Sequence, residues 1–509
     1  MKRDGALESI WQHQHKDHQP KETIVSAIKY DVLIAGGGIT GLATALLLQK
    51  GGKKCVIAEA HTIGFGTTAG TTAHLNTFFD TPYYVAERDF GEENALLLAQ
   101  AAKEALSLIK NNVRDHNIEC SLEEKSGYIF TTETDQEGDL DMLVGSAKKV
   151  GLPIDYINDS PFPVPYTKIA CIREQAQFHP VEYILGLAKA FEAAGGVIVT
   201  GCKVTEVEEG DELKIKTTKG EFSANHIIWA THIPTGVNLL HFRCAPYRSY
   251  VLGLTLNDNN YPQDLGYDML DPYHYYRTHT IDGQQYLIVG GEDHKTAHEE
   301  NTEDSFRKLE SYVRKYFDVK EVSFKWSSQY FEPADGLAYI GHLPGNGDNV
   351  WVATGFGGNG MPYSHIAAIT LSEILLKGDS KYRALFNPNR VKPMAGFTNF
   401  IKEAVDVVKE FVSGKFSAEK LKEFTGLAVG EARVVNYEGE KIAMYKDEQH
   451  NIHAVNPTCT HVHCTVAWND SEKSWDCPCH GARYSCDGEV LTGPATKNLE
   501  VIDLVGKED

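Results

Sequence analysis

The order of apolar and polar positions near the N-terminus predicts a strand, a helix and a second strand. Residues 30–35 are apolar apart from Asp31, as in a strand that is buried on both faces. Apolar positions then continue through Leu48 to a pair of glycines that can end a helix. A second apolar run, Cys55–Ala58, is followed by an acidic residue. Two parallel strands joined by a helix are the repeating unit of α/β sheets, so we predict an α/β fold here.

Further patterns lie toward the C-terminus. Residues 350–353 predict a strand, which leads through a glycine-rich loop to an apolar helix over about residues 364–377. Residues 397–412 have apolar positions at helical spacing and predict an amphipathic helix, with a second short helix at 418–424. We expect the amphipathic helix to pack between domains, because its flanks carry both charge signs. Short alternating strands after residue 426 predict a small antiparallel barrel.

The composition is that of an ordinary globular chain. It has 509 residues, of which 42% are hydrophobic and 23% charged, enough for two or three domains. The net charge of −21 argues against nucleic acid and against an anionic membrane surface as partners. There is no apolar run of membrane-spanning length and no apolar signal segment. The histidines at residues 13–18 could bind a metal weakly, but a solvated tail is the interpretation we favour.

The cysteines divide into two groups. Five of the ten lie between residues 459 and 486, and the others are scattered over residues 55–244 without a pairing pattern. Scattered cysteines are typical of a reducing compartment, so we expect a cytoplasmic protein.

Four residues near the C-terminus have the spacing of a metal centre. Cys459 and His461 form C-x-H, and Cys477 and His480 form C-x-x-H. Two thiolates and two imidazoles from two loops are the ligand set of a Rieske [2Fe–2S] cluster, in which two histidines replace two cysteines on one iron. Zinc also takes Cys₂His₂, but zinc fingers usually pair Cys with Cys and His with His. One Cys and one His in each loop favour the iron–sulfur cluster over zinc, and over a module held by disulfides alone.

The residues around these ligands resemble the Rieske family, in the stretches CTHVHC, WDCPCHGARY and GPA. In the respiratory and photosynthetic branch a disulfide ties the two loops together, so the resemblance implies a Cys464–Cys479 bridge. Two free thiols are the alternative in a reducing compartment. The high-potential branch also has a serine and a tyrosine that donate to the cluster. Here Ala482 replaces the serine and Tyr484 is kept, so we expect a lower reduction potential than in the quinol-oxidising relatives.

The glycines after the first predicted strand form a dinucleotide-binding motif. Gly36, Gly38 and Gly41 give G-x-G-x-x-G between a strand and a helix, and Glu59 ends the next strand. Gly36 is predicted to make the tight turn, Gly38 to let a pyrophosphate approach the backbone, and Gly41 to allow close helix–strand packing. Glu59 can accept hydrogen bonds from the adenosine ribose.

The segments that follow resemble the glycine/D-amino-acid oxidase family of flavoproteins, from about residue 10 to about residue 380. The motifs that carry the resemblance are IGFGTTAG at 63–70, FHP at 178–180, KVTEV at 203–207, ANHIIWAT at 224–231, YR at 276–277 before GG at 290–291, and PADGLAYIG at 333–341. The resemblance implies FAD as the cofactor. It also implies a Rossmann-like FAD-binding domain interleaved with an antiparallel-sheet substrate domain. The implied cofactor contacts include Gly66, Thr67, Thr68 and Val204.

A second glycine-rich loop has the same G-x-G-x-x-G spacing between a strand and a helix. A second nucleotide unit, for NAD(P)H, would need a further strand that ends in an acidic residue, and residues 378–382 do not provide one. By resemblance the loop instead faces the pyrimidine edge of the flavin, where a helix N-terminus stabilises negative charge on the reduced ring. The implied residues are Gly357, Gly358, Asn359, Gly360 and Met361.

His74 carries a separate hypothesis. Residues 68–74 resemble the segment of the dimethylglycine dehydrogenase branch in which a histidine is bonded covalently to the flavin. Ala73 replaces an aromatic residue of that segment, so a histidine that lines the pocket without a covalent bond is the alternative. A cysteine link near the second glycine-rich loop is excluded, because there is no cysteine between Cys244 and Cys459.

These observations predict four segments and a function. The segments are an N-terminal tail (1–29), an FAD-dependent oxidoreductase domain (30–390), a helical linker (391–425) and an all-β Rieske [2Fe–2S] domain (426–509). The resemblance implies hydride transfer from the carbon beside an amine nitrogen to FAD, followed by electron transfer through the cluster to an external acceptor. The expected substrate is a small amine or N-methyl amino acid.

Tyr276 and Arg277 are our candidates for binding a substrate carboxylate, with a structural ion pair as the alternative. Two other functions stay open at this point. One is an electron-transfer reductase that serves a partner protein, and the other is a redox sensor.

Overall fold

The computed structural model describes residues 1, 3–13, 15–21, 28–390, 427–437 and 440–503. Within them the helices are α1 (Ile39–Lys50), α2 (Tyr83–Phe90), α3 (Glu92–Asp115), α4 (Glu137–Lys149), α5 (Pro180–Ala193), α6 (Thr302–Val313) and α7 (Gly360–Lys377). The predicted linker at 391–425, with its helices at 397–412 and 418–424, lies outside the described residues. No helix in the described ranges has an apolar stretch long enough to cross a bilayer.

The strands follow the same chain order. They are β1 (Lys29–Ala35), β2 (Cys55–Ala58), β3 (His74–Leu75), β4 (Glu123–Thr131), β5 (Ile154–Tyr156), β6 (Lys168–Gln177), β7 (Val197–Val199), β8 (Val204–Glu208), β9 (Leu213–Thr217), β10 (Gly220–Trp229), β11 (Cys244–Leu256), β12 (Leu265–Asp268), β13 (Tyr275–Ile281), β14 (Gln284–Lys295), β15 (Val319–Pro333), β16 (Tyr339–His342), β17 (Val350–Thr354), β18 (Ala432–Tyr437), β19 (Glu440–Lys446), β20 (Ile452–Val455), β21 (Ala467–Asn469), β22 (Ser474–Asp476), β23 (Arg483–Ser485) and β24 (Val490–Thr492).

The first large sheet carries the glycine-rich motif. Strands β17, β10, β1, β2 and β7 are parallel neighbours in that order, and β16 adds an antiparallel edge. The β8–β9 hairpin extends β10. Val32 and Ile34 of β1 enter the core under the helices, whereas Leu33 enters a second core on the hairpin side. Residues 30–35 are almost continuously apolar because this strand is buried on both faces.

The second large sheet is mostly antiparallel. Its order is β15-β11-β14-β13-β12-β4-β6-β3, with β5 beside β6. One face packs against α6 in a core that includes Phe306 and Leu309. The chain alternates between the two large sheets, since β3–β6 and β11–β15 interrupt the strands of the first sheet. The predicted fold class is therefore confirmed, with an α/β nucleotide-binding part interleaved with an antiparallel sheet.

The C-terminal part is small and all-β. Strands β18–β20 form one antiparallel sheet and β21–β24 form another. Its core contains Trp475, Tyr484 and the cysteines of the predicted metal loops. This matches the small antiparallel domain expected from the short alternating strands.

The N-terminal segment corrects the prediction of a solvated tail. Ile10 and Trp11 are fully buried. Trp11 lies edge-on to the rings of His179 and His279, with centroids 5.1 Å away in each case. Arg3 reaches the C-terminal part, 3.1 Å from a carboxylate oxygen of Glu472. The segment is held by contacts distant in sequence, and one Ile-Trp pair in a polar run provides no periodic signal that could predict them.

Candidate functional site

A cavity of about 710 Å³ lies between the two large sheets. The carboxyl ends of β1, β2 and β10 form one wall, and strands β11, β13, β14 and β15 form the opposite wall. Residues 489–493 of the C-terminal part close one side. Ligands of open α/β sheets bind at the carboxyl ends of the strands, so this cavity is the candidate cofactor site.

The glycine-rich motif has the close contacts that a nucleotide turn requires. Gly36 has φ +108°, and a Cβ there would lie 2.5 Å from the carbonyl oxygen of Ala230. A Cβ on Gly41 would lie 2.0 Å from the carbonyl oxygen of Gly36. Gly38 provides no side-chain cap for α1, and although the Ile39 amide donates to the Thr68 hydroxyl at 3.2 Å, the first turn of the helix lines the cavity. This cradle fits the pyrophosphate of FAD.

Glu59 lies at the cavity as the motif predicts. One carboxylate oxygen accepts from the Gly37 amide at 2.6 Å and the other from the His61 amide at 2.8 Å. Burial raises the pKa of Glu59, and these two backbone donors partly offset that rise. Gly66, Thr67, Thr68 and Val204 also line the cavity.

The second glycine-rich loop lines the far end of the cavity. Gly357, Gly358, Asn359, Gly360 and Met361 all contribute to the wall, and α7 begins at Gly360. Asp80 occupies part of this helix N-terminus. Its carboxylate accepts from the Gly358 amide at 2.8 Å, and its own amide donates to the Asn359 side chain at 2.7 Å. Sequence reasoning did not identify Asp80, which lies in a loop with no motif.

The second sheet contributes a polar cluster to the same end. The Asp293 carboxylate accepts from the hydroxyls of Ser249 and Tyr330, the latter at 2.9 Å. The Ser249 hydroxyl also lies 2.7 Å from the hydroxyl of Tyr275. Burial raises the pKa of Asp293 to about 6. Asp293 was also missed, because its partners come from two other strands, β11 and β15, that are distant in sequence.

Tyr276 and Arg277 do not line the cavity, which corrects their predicted role as carboxylate ligands. Side chains alternate along β13, so Tyr275 faces the cavity and Tyr276 the opposite core. There the Tyr276 hydroxyl lies 2.5 Å from that of Tyr312. Arg277 is fully buried, and its guanidinium donates to the carbonyl oxygens of Thr72, Ala73 and Phe178 at 2.8, 3.0 and 3.1 Å. Both residues have structural roles, although the expected ion pair is replaced by bonds to backbone carbonyls.

His74 lines the cavity between two tyrosine rings. Its ring lies edge-on to those of Tyr267 and Tyr275, with centroids 5.4 and 5.7 Å away. Its Nε2 atom is buried and has no hydrogen-bond partner among the described residues. Burial lowers the pKa of His74 to about 3, so the imidazole is neutral. A neutral histidine with a free nitrogen at the cavity fits a contact to the flavin, and the covalent bond stays a prediction.

The predicted metal ligands come together in two adjacent loops. The thiol groups of Cys459 and Cys477 lie within hydrogen-bonding reach, which holds the pKa of Cys459 below its usual range. The rings of His461 and His480 are nearly perpendicular, with centroids 5.0 Å apart. The Nδ1 atoms of both histidines are buried without a hydrogen-bond partner in the described part of the chain. Such orphaned nitrogens beside free thiols fit a bound metal centre.

The arrangement suits two irons better than one zinc. In the described ranges, no three of these four residues bring their ligand atoms within 4.8 Å of one another. A single tetrahedral ion would need that proximity, since its bonds are only about 2.0–2.3 Å long. A pair of thiols facing a pair of imidazoles instead matches the Rieske cluster.

Two further groups support the loops. A disulfide joins Cys464 and Cys479. The Tyr484 hydroxyl lies 3.2 Å from the sulfur of Cys459, and Ala482 is fully buried without a donor of its own.

The cluster loops dock directly against the wall of the cavity. His461 Nε2 donates to the Gly236 carbonyl at 3.0 Å, and the His480 ring contacts that of Phe242. Gln329 connects the two sites. Its side-chain amide donates to the Gly481 carbonyl at 2.9 Å, and its backbone carbonyl accepts from Thr67, which lines the cavity.

Six buried charges hold this interface, and we call them the interface charge cluster. They comprise three arginines and three carboxylates, all at most 8% exposed. Arg483 lies 2.9 Å from Asp4 and 3.0 Å from Asp476, and Arg248 lies 3.4 Å from Asp476. The members are Arg3, Asp4, Arg248, Glu472, Asp476 and Arg483.

Comparison with known families agrees with this division into two cofactor sites. The model of the FAD dependent oxidoreductase family, DAO, matches residues 31–374. The model of the Rieske [2Fe-2S] domain matches residues 419–503. The two matched ranges contain the cavity motif and the metal loops, respectively.

One relative spans nearly the whole chain, and others match about three quarters of it. A Rieske 2Fe-2S iron-sulfur protein of Bacillus subtilis (strain 168), YhfW, is 33% identical over 93% of both chains. Gamma-glutamylputrescine oxidoreductase of Escherichia coli (strain K12) is 25% identical over 72% of this chain and 87% of its own. The structure of glycine oxidase from Geobacillus kaustophilus has a TM-score of 0.60 at 18% identity, and covers 72% of this chain and all of its own. That structural likeness concerns the fold alone.

Proposed function

The chain belongs to the family of FAD-dependent oxidoreductases and ends in a Rieske [2Fe–2S] domain, and from this we propose that it oxidises a C–N bond of a small amine or amino acid and delivers the electrons to an external acceptor. In the reaction, the substrate carbon beside nitrogen loses a hydride and becomes an iminium, which water hydrolyses. The two electrons leave singly to two equivalents of a one-electron acceptor, and the proton goes to solvent. When bound, FAD takes up the hydride and the cluster transfers single electrons.

The residues proposed to hold FAD surround the cavity. The N-terminus of α1 would bind the pyrophosphate and Glu59 the ribose. The loop at 66–68, Val204, His74 and the N-terminus of α7 would surround the rest of the cofactor. Cys459, His461, Cys477 and His480 are the proposed cluster ligands.

The observation that carries the proposal is the direct contact between the cavity wall and the cluster loops. Gln329 bonds Thr67 on the cavity side and Gly481 on the cluster side, and it is 1% exposed. A dry, bonded contact of this kind is expected between two redox centres that exchange electrons within one chain. The name of gamma-glutamylputrescine oxidoreductase, which acts on an amine derivative, adds support for the C–N bond as the target.

The acceptor is proposed to be a redox partner outside this chain. The buried, free thiols in the flavin-binding part suit a reducing compartment, so we propose that the partner is cytoplasmic. Those thiols are Cys55, Cys120, Cys171, Cys202 and Cys244.

Anaerobic rapid mixing tests the function. The oxidised holoprotein is mixed with a panel of amines and N-methyl amino acids while absorbance reports the flavin and electron paramagnetic resonance reports the cluster. We expect flavin bleaching followed by cluster reduction. The variant C459S should bleach without the cluster signal, because it lacks one iron ligand. If no compound of the panel bleaches the flavin but a reduced protein partner does, the chain is an electron relay and the proposal fails.

The contact through Gln329 is tested in the same apparatus. Q329A removes the bond to Gly481 and should slow cluster reduction several-fold, while the rate of flavin bleaching stays unchanged. The exposed Gln284 offers a matched control, Q284A, in which both rates should equal those of the parent protein. Equal rates of cluster reduction in Q329A and the parent protein would show that electron transfer to the cluster does not depend on this contact.

A further inference from the structure

The cavity differs in charge between its two ends. Among the described residues that line it, Lys203 is the only lysine or arginine, and its ammonium donates to the Thr496 carbonyl on the side of the C-terminal part. The opposite end, between the second sheet and α7, has two carboxylates, Asp80 and Asp293, for which no ion pair is found in the described part of the chain. Within that part neither carboxylate is ion-paired, and the charge of His274, whose ring pairs with Asp268, reaches Asp293 only at longer range, so this end of the cavity keeps an excess of negative charge.

A third carboxylate at this end, that of Asp268, differs from these two because it has an ion-pair partner. Asp268 also lines the cavity, but His274 Nδ1 lies 2.8 Å from its carboxylate and the Tyr312 hydroxyl donates to it at 2.8 Å. Among the described residues, Asp293 has only the hydroxyls of Ser249 and Tyr330 as hydrogen-bond partners. Hydroxyls satisfy the hydrogen-bonding capacity of a carboxylate but leave its charge in place.

The aromatic lining of this end independently favours a cation. Tyrosine rings attract ammonium groups through their negative faces. Tyr273 and Tyr275 lie 5.7 Å apart between centroids, and both lie near the two free carboxylates. The tyrosines of the lining are Tyr267, Tyr273, Tyr275 and Tyr330.

Among the described residues that line this end, there is no lysine or arginine to pair with a substrate carboxylate. Arg277 is held by three backbone carbonyls and lies outside the lining. A carboxylate placed in this pocket would meet Asp80 and Asp293 at close range in a poorly solvated space, which is strongly unfavourable.

We propose that the substrate is a cationic amine whose positive charge is not balanced by a carboxylate, and that Asp293 binds its ammonium group, with Asp80 and the tyrosines completing the pocket. The proposal rests on the function proposed above and selects amines over amino acids within it. The ammonium would donate a hydrogen bond to Asp293 and supply the positive charge that the hydroxyls of Ser249 and Tyr330 do not. Truncating one partner of a desolvated, hydrogen-bonded charge pair is costly, so the affinity should depend strongly on Asp293.

Binding to the oxidised holoprotein tests the proposal without relying on turnover. Benzylamine and benzoate have the same ring and opposite charges, and each is titrated anaerobically while the flavin spectrum is recorded, with bleaching counted as binding. We expect benzylamine to bind about tenfold more tightly than benzoate or better, a difference of about 1.4 kcal/mol. D293N should lose at least that factor in benzylamine affinity. Tighter binding of benzoate, or unchanged binding of benzylamine by D293N, overturns the proposal.

A neighbouring acid provides the matched control. Glu292 precedes Asp293 but points toward His274 Nε2 at 3.6 Å and does not line the cavity. E292Q should therefore bind benzylamine as the parent protein does. If D293N does not retain flavin, D80N serves as the second variant, with a smaller loss of benzylamine affinity expected.

The outcomes separate this proposal from the general function. If amines bind through Asp293 but no amine or amino acid bleaches the flavin, the proposed C–N oxidation fails, and the proposal that Asp293 binds a cationic amine stands. If an amino acid bleaches the flavin and benzylamine does not bind, the general function stands and the cationic-amine proposal is overturned.

Discussion

The interface charge cluster and the cavity both contain buried carboxyl groups, but their pKa values are lowered at the interface and raised in the cavity. Burial alone would raise the pKa of Asp476, but Arg483 and Arg248 hold it below the ordinary range. The same is true of Asp4 beside Arg483 and Arg3. In the cavity, burial raises the pKa of Asp293 to about 6, because the hydroxyls of Ser249 and Tyr330 and the more distant charge of His274 offset it only in part.

This difference in pKa separates charges that stabilise the fold from charges that are available to bind a ligand. At the interface three arginines balance three carboxylates, and the arrangement fixes the C-terminal part and the N-terminal segment on the flavin-binding part. In the cavity two carboxylates have no ion pair within the described ranges, which costs stability that a positively charged substrate would recover. Buried acids at functional sites are often retained in spite of this cost.

Removing an arginine from the interface charge cluster should have the largest effect on the free energy of unfolding. R483M leaves the carboxylates of Asp4 and Asp476 buried without their main partner, so we expect a loss of about 3–5 kcal/mol in the free energy of unfolding. Denaturant titration of the holoprotein measures it. The exposed pair Arg314–Glu310 provides the control, since R314M should cost about 0.5 kcal/mol or less. Similar losses in both variants would contradict the view that the interface cluster is structural.

Neutralising one anion of the same cluster should be the next largest effect. D476N keeps the shape of the side chain but removes a charge that faces Arg483 and Arg248, so we expect destabilisation of about 2 kcal/mol at pH 7. The folded-state pKa of Asp476 lies below its unfolded value, so its contribution is present above the unfolded pKa and lost as the pH falls through the folded one. Parent and variant should therefore converge only in acid. A stability difference that is unchanged between pH 7 and acid would contradict the charge argument.

An Asp→Asn substitution in the cavity, D293N, should stabilise the protein, whereas D476N destabilises it. The folded-state pKa of Asp293 is raised to about 6, so the parent protein loses stability as the pH rises from the unfolded pKa toward 6 and is constant above it. D293N removes this cost and should raise the free energy of unfolding by about 1 kcal/mol at pH 8, a modest value because an amide accepts weaker hydrogen bonds from Ser249 and Tyr330 than a carboxylate does. At pH 5 the gain should shrink. A loss of stability at pH 8 would show that Asp293 is compensated after all.

The smallest effect concerns the sulfur ligands, whose charge is compensated by hydrogen bonds. Tyr484 is the hydroxyl donor beside Cys459, so Y484F should lower the reduction potential of the cluster by about 40 mV, the equivalent of one hydrogen bond of about 1 kcal/mol. A482S should raise the potential by restoring the missing donor. Protein-film voltammetry measures both. A higher potential in Y484F or a lower one in A482S would contradict this account.

Some parts of the site could be predicted because they are local. The ligands Cys459 and His461 are two residues apart on one loop, so a short sequence motif is enough to predict that they bind the same metal centre. Gly36 and Gly41 are likewise required by backbone geometry within a single turn. Resemblance to known families added FAD and the second glycine-rich loop, which residue spacing alone would have left open to NAD(P)H.

The prediction for Tyr276 failed at the level of strand orientation, and that for Arg277 failed because its guanidinium is already occupied. A shift of one residue along a strand exchanges the faces of the sheet, so Tyr275 lines the cavity and Tyr276 does not. Arg277 was a candidate carboxylate ligand because a guanidinium can bind a carboxylate through two hydrogen bonds. Its partners are backbone carbonyls of residues 72, 73 and 178, which no sequence pattern reveals.

The sequence by itself determined the two cofactor classes, the α/β fold and the residues whose function depends on neighbours a few positions away. Tertiary structure alone decided which acids are compensated, where the N-terminal segment lies and how the cluster meets the cavity. Asp293, Gln329 and Arg483 obtain their roles from partners 37 to 479 positions distant in the chain. The physical reason is that a charge or a hydrogen bond acts over a few ångströms of space, and only folding brings such distant residues within that range.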